Sequence, residues 1–87
     1  MGYRIHYRRA AIRYIRKMAA DQRRRVISAI EKLGENPKNQ ALDVKKLSGR
    51  EGFRLRVGDY RVLFERHDDE LVILIVNVKP RGEAYKE

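Results

Sequence analysis

Twelve consecutive residues, Phe53-Arg54-Leu55-Arg56-Val57-Gly58-Asp59-Tyr60-Arg61-Val62-Leu63-Phe64, constrain the fold more than any other part of the chain. Two strand-like runs flank Gly58-Asp59, and glycine at the first central position is what a two-residue type II′ hairpin turn prefers. With the turn there, register follows: Val57 faces Tyr60, Arg56 faces Arg61, Leu55 faces Val62, Arg54 faces Leu63 and Phe53 faces Phe64. Side chains alternate along a strand, so Phe53, Leu55, Val57, Tyr60, Val62 and Phe64 share an apolar face. Arg54, Arg56 and Arg61 share the other, with no acid between them. Like charges directly opposite on a sheet oppose its formation by up to about 1 kcal/mol, so such a face is read as a phosphate cradle.

Around the hairpin, periodicity supplies the remaining elements. Tyr3, Ile5 and Tyr7 alternate with Arg4, His6 and Arg8, the signature of a half-buried strand. From Ala10 the period lengthens, with Ala11, Ile12, Ile15, Met18 and Ala19 marking a helix. Asp21 fits the N-cap of a second helix with the stripe Val26, Ile27, Ile30 and Leu33. Gly34 then fits the left-handed position past its end, and Asn36-Pro37 stops it. The outward faces of this helical hairpin carry Arg9, Arg13, Arg16, Lys17, Arg23, Arg24 and Arg25. With Asp21 as cap, the last three oppose the helix dipole in the first turn.

Residues 38–50 read as a loop anchored by Val44 and Leu47. A last strand over Leu71–Val78, apolar on both faces, belongs inside the sheet, behind a turn at Asp68-Asp69-Glu70. The expected architecture is α+β, in the order β-α-α-β-β-β: one domain over residues 1–87, with a helical hairpin on a largely antiparallel four-stranded sheet.

Charge narrows the partners. Lys plus Arg number 21 against 12 Asp plus Glu, and 14 of the 21 are Arg, whose planar guanidinium grips two phosphate oxygens and stacks on bases. A polyanionic partner is expected, which could be nucleic acid, an acidic protein segment or an anionic membrane surface, and the arginine bias favours nucleic acid. There is no cysteine, which removes thiolate chemistry and fits a reducing cytoplasm. The longest apolar run, Leu71–Val76, falls far short of the roughly 20 residues a membrane span needs, and the N-terminus carries no apolar signal segment. A cytoplasmic location and no membrane partner are the expectation. Asp68, Asp69 and Glu70 are consecutive and lack the spread of a calcium loop, so neither metal nor other cofactor is expected. His6 and His67 have no partner nearby in sequence to make either one catalytic.

The segments Lys46-Leu47-x-Gly49, Phe53 to Val62, and Val78-Lys79-Pro80-Arg81 followed by Tyr85 resemble, in order and spacing, the RelE toxins of the RelE/ParE toxin–antitoxin superfamily, archaeal members most closely. The resemblance covers nearly the whole chain. It implies a ribosome-dependent endoribonuclease that cuts mRNA in the A site and inhibits translation. It also implies contacts to rRNA, an acidic antitoxin partner, and operator DNA bound only through the antitoxin complex. Carried over by position, it makes Arg61, Arg81 and Tyr85 the catalytic candidates, and Arg54, Arg56, Lys79 and Lys46 the RNA-binding ones. Two of these arginines stand where the best-known bacterial form has lysines, which removes them as bases.

Metal-free cleavage needs the 2′-OH to attack the adjacent phosphate while cations stabilise the developing charge. A free phenol titrates near 10, and neighbouring arginines favour its phenolate, which suits Tyr85 to a base. An arginine seldom yields its proton, so Arg81 fits leaving-group stabilisation better than acid catalysis. Two other readings remain open: a ParE-like gyrase poison, and a catalytically degenerate module that binds nucleic acid or antitoxin.

Overall fold

The computed structural model describes residues 2–48 and 52–80. Along the chain run β1 (Arg4–Tyr7), α1 (Arg9–Arg16), α2 (Ala20–Glu35), β2 (Asp43–Lys46), β3 (Phe53–Val57), β4 (Tyr60–His67) and β5 (Val72–Pro80). The strands form one sheet in the order β1-β5-β4-β3-β2, with β1 parallel to β5 and every other pair antiparallel. This is the expected α+β architecture with a fifth strand. The addition, β2, lies in the stretch read as a loop. It is short and carries Lys45 and Lys46, as blunted edge strands do, and its pairing with β3 rests on backbone hydrogen bonds rather than an apolar pattern.

Both helices bury their stripes on one face of the sheet. Ala11, Ile15, Met18, Val26, Ile30 and Leu33 meet Leu55, Val62, Phe64, Ile73, Ile75 and Val78 in a single core. Gly58 has φ +55° while Asp59 keeps a negative φ, the pattern of a type II′ turn. The expected hairpin register is observed at all five pairs.

The helix boundaries correct two expectations. Ala19, not Asp21, is the N-cap of α2 and makes no side-chain capping bond; Asp21 is the acid of the first turn. Arg23 N–H already donates to Ala19 O at 2.9 Å, so Arg23, Arg24 and Arg25 begin where the dipole's effect is fading. Gly34 lies within α2 rather than past it, and its φ is not positive. Its role is close approach. Tyr3 N–H donates to Gly34 O at 2.7 Å, and a Cβ on Gly34 would lie 2.8 Å from Ile5 Cδ1. The helix ends instead at Asn36, whose extended backbone (φ −155°, ψ 98°) is what a residue before proline adopts.

Far from the hairpin turn, a polar clamp holds β1 to the β4–β5 connection. Arg66 donates to both carboxylate oxygens of Asp68, at 2.8 and 3.0 Å, and the Tyr3 hydroxyl donates to Asp68 at 2.9 Å. The Arg66 hydrogen bonds, and then that from Tyr3, hold the Asp68 carboxyl down to about 2. The same bond raises the Tyr3 phenol, because ionising it would set two anions face to face. Arg66 also lies over the Phe53 ring, 5.9 Å from its centroid, and Phe53 stacks on Phe64 at 5.4 Å.

Two stability measurements follow. Ile30 is fully buried, so Ile30→Ala is expected to lower the unfolding free energy by about 2–5 kcal/mol in urea titrations with an unchanged m value. Asp68 has a folded value of about 2 against an ordinary 3.8, so its contribution is complete above about pH 4 and disappears as pH falls through 2. Asp68→Asn is therefore expected to flatten the loss of thermal stability between about pH 4 and 2 relative to the parent; an unchanged slope would show the clamp to be energetically silent.

Candidate functional site

The face of the sheet away from the helices carries the candidate site. Pairing across the ladder aligns Asp43, Arg56, Arg61 and Lys79 in one row over β2, β3, β4 and β5. A second row, one side-chain repeat further from the turn, holds Lys45, Arg54, Leu63 and Asn77. Neighbouring strands lie about 4.8 Å apart, so each row spans about 15 Å, enough for two successive phosphates of an extended strand. Five cations and one carboxylate occupy these two rows.

Lys79 reaches this face through an irregularity. Between Leu63 and Phe64 the β4–β5 register shifts: Leu63 pairs with Asn77 but Phe64 with Ile75, leaving Val76 as the extra residue of a bulge. Ile73 and Ile75 therefore face the helices, and past the bulge Val78 does so in their place. Strict alternation from Ile73 would have turned Lys79 towards the helices. The bulge sets it beside Arg61 instead.

Arg61 is 2% exposed, the one charged residue buried among those described. Arg56 and Lys79 flank it in the ladder, so a buried cation sits between two others. Arg54 is also largely covered, with 16% of its side chain exposed. Its Nη2 lies 3.4 Å from Asp43 Oδ1, a long contact with a mostly exposed carboxylate. Its Nη1 is buried with no hydrogen-bond partner among the described residues. A buried unsatisfied donor costs about 1–3 kcal/mol, which a bound phosphate oxygen would recover. Arg66, on the same strand as Arg61 but the opposite face, is held by both oxygens of the Asp68 carboxylate. The two arginines of β4 thus divide into one locked in a structural clamp and one held within the basic row.

The sequence-derived candidates fare differently. Arg54, Arg56, Arg61 and Lys79 are brought together. Lys46 is not: it pairs with Phe53, whose side chain belongs to the helix-facing set, so the alternation that puts Lys45 on the arginine face turns Lys46 from it. Arg81 and Tyr85 lie outside the described residues. His6 is exposed on β1, and His67 lies 3.1 Å from Glu65 at the far end of β4. The described residues contain no group of three or more His, Asp or Glu side chains able to hold a metal ion, and no helix among them is long and apolar enough to cross a membrane. Lys45 and Asp43 are not legible as site residues in the sequence, where residues 38–50 have the pattern of a loop. The one signal available was Val44 between two charged residues, too short to mark a strand.

Direct electrostatic consequences of this face can be measured without knowing its ligand. Arg56→Glu is expected to weaken binding of a single-stranded RNA oligonucleotide by on the order of tenfold at low salt and to lower the slope of log affinity against log salt. Equal binding by the variant, followed by fluorescence anisotropy across a salt series, would place the RNA contact elsewhere.

Comparison with known proteins agrees with this architecture. No curated protein sequence is similar enough to add a relative by sequence. Among solved structures, the archaeal RelE of a RelE–RelB complex from Pyrococcus horikoshii OT3 superposes with a TM-score of 0.82 at 30% identity, over 94% of this chain and 98% of that one. A RelB–RelE antitoxin–toxin complex from Methanococcus jannaschii gives 0.74 at 24% identity over 92% and 94%. The intact E. coli RelBE complex gives 0.77 at 19% identity over 92% and 98%, a likeness of fold alone. The family described as the ParE toxin of type II toxin–antitoxin systems, parDE, matches residues 5–85. The chain therefore belongs to the ParE toxin family, within the RelE/ParE superfamily of type II toxin–antitoxin toxins.

Proposed function

We propose that this toxin is a metal-independent endoribonuclease that cleaves mRNA in the ribosomal A site and so arrests translation. The observation that carries the reading is the row Arg56–Arg61–Lys79 with Arg54 behind it, on the face of the sheet that the helices leave uncovered. Cations fixed in a ladder suit a phosphate that gains negative charge in the transition state, because they need no reorganisation as the charge develops. Arg61, buried at the centre of the row, supplies positive charge beneath the scissile phosphate. Arg54, Arg56 and Lys79 hold the flanking strand.

In the reaction, the 2′-oxygen forms a bond to phosphorus as the bond to the 5′-oxygen breaks. A base takes the 2′ proton, the leaving oxygen gains one, and a 2′,3′-cyclic phosphate remains. Tyr85 as base and Arg81 beside the leaving oxygen follow from the resemblance to RelE toxins. An acidic antitoxin, in keeping with the RelE–RelB complexes of the structural relatives, would neutralise the basic surface.

A second reading has its own support, since the family that matches residues 5–85 bears the ParE name. A ParE-like toxin would act on DNA gyrase, and that branch generally lacks the constellation of Arg61, Arg81 and Tyr85. The two separate cleanly in the test tube. The nuclease reading expects cuts within codons of translated mRNA, mapped by primer extension, with 2′,3′-cyclic ends and no effect on gyrase supercoiling. Arg61→Ala is expected to slow cleavage by about 10²–10³-fold and Tyr85→Phe to slow it markedly, with folding confirmed by circular dichroism. Full cleavage rates in both variants would disprove the site; inhibited supercoiling with intact mRNA would establish the ParE-like reading.

A further inference from the structure

Past Ile75 the outer edge of β5 loses its strand. β1 pairs with β5 only from Val72 to Ile75, and Arg8 N–H closes that pairing on Ile75 O at 2.9 Å. At Asn77 the neighbour is helix α1 instead, and two adjoining cavities of about 170 and 270 Å³ open there, sharing Tyr14 and Lys17. Ala10, Arg13, Tyr14 and Lys17 line them at i, i+3, i+4 and i+7, one stripe about 10 Å long beside the buried Ala11, Ile15 and Met18. Arg13 and Lys17 are exposed and one turn apart, on a helix that contains no acid.

Asn77 lines the smaller cavity from the strand. Val78 N–H donates to Asn77 Oδ1 at 2.8 Å, which occupies the carbonyl of that side chain and leaves its Nδ2 hydrogens to offer. Arg13, Lys17 and Asn77 thus present donors. Tyr60 sets the orientation of the Tyr14 ring between them, with centroids 6.3 Å apart and planes at 73°. Tyr60 in turn lies opposite Pro80, at the end of the strand that bears Lys79.

Cations interleaved with an aromatic ring and an amide donor match a nucleotide, whose phosphates accept hydrogen bonds while its base stacks. A docked helix is about 10–12 Å across and needs a wider channel than cavities of this size. The groove is also continuous with the arginine face. Asn77 ends the row of Lys45, Arg54 and Leu63, and Lys79 ends the row of Arg56 and Arg61. We propose that RNA crossing the arginine face turns over the β5 edge and seats one flanking nucleotide in this groove. Its base stacks on Tyr14, its phosphates meet Arg13 and Lys17, and Asn77 donates to a base acceptor. That the strand is a substrate rests on the function proposed above; that the groove holds a nucleotide rests on its own residues.

The probe is a fluorescein-labelled single-stranded RNA octamer, followed by anisotropy, with an abasic residue moved through it one position at a time. At one position, removal of the base is expected to weaken binding to the parent protein on the order of tenfold and binding to Tyr14→Leu hardly at all. Tyr14→Phe keeps the ring and should behave as the parent. Arg13→Gln combined with Lys17→Gln should lower the slope of log affinity against log salt by about 1 to 1.5. Arg24→Gln combined with Lys32→Gln removes the same charge from α2 and should change affinity by no more than about twofold. Arg56→Glu should weaken binding while the same abasic position keeps its effect. No position-specific loss in the parent, or an equal loss in Tyr14→Leu shown to be folded by thermal melts, would overturn the subsite. Tighter binding of a glutamate octapeptide than of the RNA, abolished by the Arg13 and Lys17 substitutions, would give the groove to a protein segment instead. Cutting of translated mRNA by the parent reads the nuclease function separately, so either idea can fail alone.

Discussion

The β3–β4 hairpin is the constraint on which the rest of the molecule depends. Gly58 at φ +55° lets the chain reverse in two residues, with a twist that matches its strands, and this sets Arg56 opposite Arg61 and Leu55 opposite Val62 in one step. A slip of one residue would exchange the faces, burying arginines against α2 and exposing the aromatic stack of Phe53 and Phe64. The core and the basic row are thus two consequences of a single register. Each protects the other, because the apolar contacts of one face penalise any slip that would scatter the charges of the other.

The price of the arrangement falls on the cations. Arg61 is buried between Arg56 and Lys79, and Arg54 keeps a buried donor for which the described residues offer no acceptor. Elsewhere the same chain handles arginine conservatively: Arg66 is held by both oxygens of Asp68 and lies over an aromatic ring. The unsatisfied donor of Arg54 therefore coincides with the proposed RNA face. A domain of this size has only a few kcal/mol of net stability, so such concentrations of opposing terms are expected where a ligand completes the interactions.

The family and structural relatives place the chain among toxins whose names divide between ParE and RelE. Fold does not separate those branches, since both can rest on the same sheet and helical hairpin. What bears on the choice is the chemistry of the open face, where a row of cations is suited to a phosphodiester. The helix side carries a second basic surface with an apolar floor, lined by Arg24, Arg25 and Lys32. A net charge of +9 hides this division, which becomes visible only when each cation is assigned to a face.

Much of this was legible in the sequence for a physical reason: alternation and turn chemistry are local. Phe53 to Phe64 determined its own register, and the stripes of Ile15, Val26, Ile30 and Leu33 determined which sides of the helices are buried. Non-local packing decided the rest. Strand β2 exists because β3 offered a free edge, and that pairing brought in Lys45 and turned Lys46 away from the arginines. Gly34, read as a helix terminator, is instead where Ile5 and the Tyr3 backbone approach α2. The bulge at Val76 moved Lys79 onto the arginine face, against the alternation its own strand suggests. The sequence by itself determined that three arginines share one face of a hairpin. Only the tertiary structure decided which lysines stand beside them and that Arg61 is buried, because neighbouring strands and a shift in their pairing, rather than local periodicity, control those positions.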